Sequence, residues 1–200
     1  MNGGGKGFGF NLKNRIGLGT LGLLGHSRSG HNAVRLVRSR LRGPVAPSQA
    51  KAGLGRIDSL FLLAPVYEKV ALPDVETAVV ASGCDGDVPG EARRYLEGAR
   101  RQTGRRRPVF QIKLAGANHN YFNSTLSDVG RDDGNFTPLR NCSKRERLKA
   151  GPQQSWIDKA VASFFDATLD GASKPSWMRP SRPEAGRLYG LPVIVDRLFP

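Results

Sequence analysis

The chain is predicted to be α/β, a mostly parallel sheet with flanking helices, and three observations predict it. First, short apolar and β-branched runs near 20–24, 59–64, 76–82 and 109–115 alternate with segments of helical periodicity. Second, three of those runs end in glycine-containing turns or loops that carry a serine or a titratable residue at the tip. Third, 200 residues suit one domain with a substantial core.

Taken in order, residues 1–14 are glycine-rich, from Gly3-Gly4-Gly5 to Gly7 and Gly9, and read as loop. Residues 15–171 read as the α/β unit. Its first strand, Leu21-Gly22-Leu23-Leu24, runs into Gly25-His26-Ser27-Arg28 and then a helix. On that helix Ala33, Val34, Val37 and Leu41 form an apolar stripe, which leaves Arg35, Arg38 and Arg42 on the polar side and Arg40 at its flank. A second helix spans about 91–102, with Ala92, Tyr95, Leu96 and Ala99 on one face. Residues 123–151 are polar and long for an internal connection, as lids and substrate loops often are; they hold sequons at Asn123, Asn135 and Asn141. The last helix starts at Pro152 and ends before Gly171, with Trp156 and Phe164 read as core. Residues 172–200 read as a proline-rich tail leading to a strand stump at 191–195.

The chemistry concentrates at three strand ends. A strand, a tight turn around a serine and a helix make the layout of a nucleophile elbow, where small neighbours let the chain lift a serine oxygen clear of the sheet. Gly25 stands two before Ser27; Ser29 occupies the place where glycine is usual, and Gly30 follows. The 76–82 strand ends at Cys84-Asp85-Gly86-Asp87-Val88, and the 109–115 strand at Gly116-Ala117-Asn118-His119-Asn120. Of the three histidines, His26 adjoins the serine and His31 lies in the next helical turn, so His119 is the candidate base.

These three motifs in this order resemble the α/β-hydrolase superfamily. More narrowly, Gly25-His26-Ser27-Arg28, Cys84-Asp85-Gly86-Asp87-Val88 and Gly116 through Asn123 resemble bacterial serine esterases and lipases related to polyester hydrolases, over residues 14–171. The resemblance implies a nucleophile at Ser27, an orienting acid at Asp85, a base at His119 and an oxyanion donor in the Arg28 backbone N–H. Asp87 stays open as the alternative acid. The implied substrate is a small or polymeric carboxylic ester, hydrolysed without a cofactor, and the family suggests secretion. Against that family the chain is expected to be truncated at its N-terminus, so that the elbow strand becomes a sheet edge that invites self-association. The second oxyanion donor, which the superfamily takes from an early loop, is not identified by the sequence. The alternative is a remnant of that fold without catalysis, binding partners through a basic surface.

The net charge of +14 is read as solvated basic faces, with no specific nucleic-acid partner, because the arginine clusters lack interleaved aromatics. No segment has the apolar length of a membrane span. The histidines and cysteines lack metal-ligand spacing. For Cys84 and Cys142, one bridge and two free thiols are both open.

Overall fold

A computed structural model describes residues 20–42, 56–125, 142, 147–180 and 184–200. Strand β1 (Thr20–His26) leads to helix α1 (Arg28–Arg42), then β2 (Arg56–Leu63), β3 (Glu76–Cys84), α2 (Glu91–Arg100) and β4 (Val109–Asn118). A short 3-10 turn (Asn120–Phe122), α3 (Ala150–Leu169) and the strands β5 (Glu184–Leu188) and β6 (Leu191–Leu198) follow. The expected 1–14 loop and residues 126–141 and 143–146 of the 123–151 connection, with its sequons at Asn135 and Asn141, lie outside the described residues.

The six strands form one sheet in the order β1-β2-β3-β4-β6-β5. The class is α/β, but the sheet is mixed: β1 to β4 run parallel, while β6 pairs antiparallel with both β4 and β5. The segment expected as a tail therefore completes the sheet beyond β4. Tyr189 and Gly190, at φ 49° and 86°, make the two-residue turn that joins β5 to β6. Among the described residues β1 has a strand neighbour on one side only, as expected for the elbow strand.

Alternation along the strands sorts the core into two layers. Leu60, Leu62, Val79 and Val109 face one side, where Val34 and Val37 of α1 and Tyr95 and Leu96 of α2 cover them. Phe61, Leu63, Val80, Phe110 and Ile112 face the other, under Trp156, Ile157, Ala160 and Phe164 of α3 and under Trp177. Trp156 and Phe164 are fully buried, as expected of core residues. Leu41, expected on the apolar stripe of α1, lies half exposed in the last turn. Helices on both faces explain why β2 and β3 read as nearly continuous apolar runs. No helix among the described residues is long and apolar enough to cross a membrane.

Two close approaches position the site. A Cβ on Gly25 would lie 2.6 Å from the Cα of Gly30 and 2.7 Å from the Ser29 oxygen, so the strand end and helix start touch backbone to backbone. A Cβ on Gly83 would meet the Leu114 oxygen at 2.7 Å and the Gly116 nitrogen at 2.8 Å. There the β3–β4 register slips, from Ser82 opposite Leu114 to Cys84 opposite Asn118. This irregularity brings the Asp85 loop alongside His119.

Candidate active site

Ser27 occupies the single residue between β1 and α1 with φ 55°, a left-handed conformation that costs a non-glycine residue about 1–2 kcal/mol. Hydrogen bonds hold it there. Its N–H donates to the Leu63 oxygen at 2.9 Å, and its carbonyl accepts from Gly30 N–H at 3.0 Å and Val66 N–H at 3.2 Å. A strained residue fixed this firmly marks a functional position more often than an accidental one. Arg28, the first residue of α1, has a backbone N–H with no intrahelical acceptor.

His119 follows β4 and is buried, as is Asp85. Its Nδ1 lies 3.1 Å from Asp85 Oδ2. The other carboxylate oxygen, Asp85 Oδ1, accepts the N–H groups of Asp87 at 3.0 Å and Val88 at 2.7 Å, which fixes the carboxylate plane. Asp87 sits across the ring, its Oδ2 3.8 Å from His119 Nε2 and beyond hydrogen-bond range. The two aspartates left open by the sequence thus address different nitrogens.

Ser27, Arg28, Ser29, Asp87, His119, Asn120 and His26 line one cleft of about 290 Å³. The structure therefore gathers every expected site residue: Ser27, Arg28, His119 and Asp87 on the cleft wall, and Asp85 behind the histidine. His31, set aside as a base, is indeed elsewhere in its contacts. Its Nε2 lies 3.0 Å from Glu68 Oε2, out of hydrogen-bond alignment, and its Nδ1 3.5 Å from the Tyr95 hydroxyl. Cys84 and Cys142 form a disulfide beside Asp85, which resolves the alternatives in favour of the bridge.

Sequence reasoning missed two braces of the histidine loop. Gln153, fully buried, accepts the Asn118 N–H through Oε1 at 2.9 Å and donates Nε2–H to the Asn118 oxygen at 2.8 Å. The signal was present: Gln153 lies on the same helical stripe as Trp156, Ile157, Ala160 and Phe164, and a polar residue there needs a buried partner. Ser82 adds a bond from its hydroxyl to the Ala117 oxygen at 2.7 Å.

Among the described residues no cluster of histidine, cysteine or carboxylate groups could hold a metal ion. No protein-family model matches the chain, and no curated protein matches it.

Proposed function

We propose that this protein is a serine hydrolase of carboxylic esters, built on an α/β-hydrolase-like sheet and working through an acyl-enzyme. The observation that carries the reading is the pairing, in one cleft, of a serine held in a left-handed turn with a buried histidine–carboxylate couple. Ser27 Oγ attacks the ester carbonyl carbon while His119 Nε2 takes its proton. Asp85, on Nδ1, keeps the ring in the tautomer that leaves Nε2 basic, and it stabilises the imidazolium that forms. The backbone N–H of Arg28 donates to the developing oxyanion, a contribution typically worth a factor of about a hundred to a thousand in rate. The imidazolium then protonates the departing alcohol, and water, activated by the same nitrogen, releases the acid. The Cys84–Cys142 bridge fits an oxidising compartment and so agrees with secretion.

A fluorophosphonate probe tests this reading. Wild-type protein becomes labelled and hydrolyses short p-nitrophenyl esters, and Ser27→Ala abolishes both. Absence of labelling in a folded, monodisperse wild-type sample refutes it.

A second reading, a non-catalytic fold that binds acidic partners, draws on one observation. The two helices of one layer, α1 and α2, expose Arg35, Arg93, Arg94 and Arg100, with Arg101 just beyond the second. Several arginines are nevertheless committed to the fold. Arg38 donates to the Ala71 oxygen at 2.9 Å, Arg105 to the Val75 oxygen at 3.0 Å, and Arg106 pairs with Asp74.

A further inference from the structure

We infer that His26 is a positioning residue for His119, tying the elbow directly to the main chain of the histidine loop; the catalytic part of this inference rests on the hydrolase reading. Strands β1 and β4 are not neighbours, because β2 and β3 lie between them. At roughly 4.8 Å per strand the two strand axes stand about 14 Å apart. Past the strand ends, however, the His26 ring reaches over, and its Nε2 lies 3.0 Å from the backbone oxygen of His119. The ring also packs 4.8 Å from that of His119 and 5.9 Å from that of Phe122.

The chemistry fixes the tautomer. A carbonyl oxygen only accepts, so Nε2 must carry the hydrogen. Burial, reinforced by the neighbouring His119, lowers His26 to about 4, and the ring is neutral at pH 7. A neutral donor suits the position, since a second cation there would oppose the imidazolium that His119 must become. The bond matters because β1 is laddered on one side only among the described residues, which leaves the elbow with less lateral support than an interior strand gives. His26, immediately before Ser27, supplies a cross-tie from nucleophile to base.

Two variants and one spectrum test the inference. His26→Phe keeps a ring but removes the N–H, and His26→Gln restores a terminal amide donor. The phenylalanine variant is expected to lose roughly tenfold to a hundredfold in kcat and in fluorophosphonate labelling rate, since small misplacements of reacting groups carry such costs. Its KM should stay within about twofold, and glutamine should recover most of the loss. Wild-type rates in His26→Phe, or equal losses in both variants, overturn the catalytic role. Nitrogen-15 spectroscopy of the wild-type imidazoles is independent of how the variants fold and of catalysis. A neutral Nε2–H tautomer for His26 at pH 7 is expected, and an Nδ1–H tautomer or an imidazolium overturns the cross-tie itself. Wild-type protein that shows the cross-tie but takes no label refutes the hydrolase reading instead.

Discussion

Breaking the Cys84–Cys142 bridge offers the most quantitative test of how the acid loop is held. The two cysteines are 58 residues apart in sequence, with their Cα atoms 5.7 Å apart, so the bridge closes a long loop in the unfolded chain. For a loop of that length the chain-entropy relation gives about 14 cal/mol/K, or about 4 kcal/mol at 25 °C. Unfolding entropy of roughly 2 cal/mol/K per residue over a chain of this size converts that into a fall of about 10 °C in Tm. Differential scanning fluorimetry on the Cys84→Ser, Cys142→Ser double variant, and on wild type with and without reductant, measures it. Activity at 25 °C is expected to fall less steeply, by under roughly tenfold, because the Asp85 carboxylate keeps its two backbone donors at 3.0 and 2.7 Å without the bridge. A melting point within about 2 °C of the oxidised protein would refute the reasoning, since it would put the stabilisation at about 0.8 kcal/mol or less, a fifth of the expected value.

Other expectations follow from the same geometry. Asp85→Asn should lower kcat by about a thousandfold to ten-thousandfold through the wrong histidine tautomer. Asp87→Asn should cost less than about tenfold, its carboxylate being outside hydrogen-bond range of the ring; steady-state kinetics that reverse this order would reassign the acid. Gly25→Ala forces a methyl into backbone at 2.6 Å and should destabilise by roughly 1–3 kcal/mol or more in urea unfolding, with loss of labelling at Ser27. His26 takes its proton near its ordinary 6.5 in the unfolded chain but only near 4 when folded, so its contribution is intact above about 6.5 and is lost as pH falls toward 4. The loss is of order 3 kcal/mol. The drop in Tm between pH 7 and 4.5 should therefore be smaller in His26→Phe than in wild type, and an equal drop would count against a partly buried neutral ring.

What could be read from the sequence was what depends on near neighbours in the chain. Ser27, Asp85 and His119 each sit in a short motif at a strand end, and a parallel sheet carries all such ends to one edge. The α1 and α2 helices declared themselves through periodicity, and Trp156 and Phe164 through their place on the α3 stripe. The β5–β6 hairpin was obscure for physical reasons. Its turn is Tyr189-Gly190 rather than the usual asparagine–glycine pair, and Pro192 looks like a strand breaker. Pro192 is tolerated because it pairs only toward β5, opposite Arg187, while the ladder with β4 begins at Val193. The role of His26, set aside as a base, was not legible because its partner is a backbone oxygen 93 residues away, a contact that no local pattern encodes.

The unequal seating of Ser27 and His119 has a consequence for how the protein would fail on warming. The proposed base, His119, follows β4, clasped between β3 and β6, whereas the proposed nucleophile, Ser27, follows β1, clasped by β2 alone among the described residues. Partial openings start where backbone bonding is thinnest. Amide exchange along β1 should outpace that along β4, and the serine should drift out of alignment while the tryptophan core is still closed.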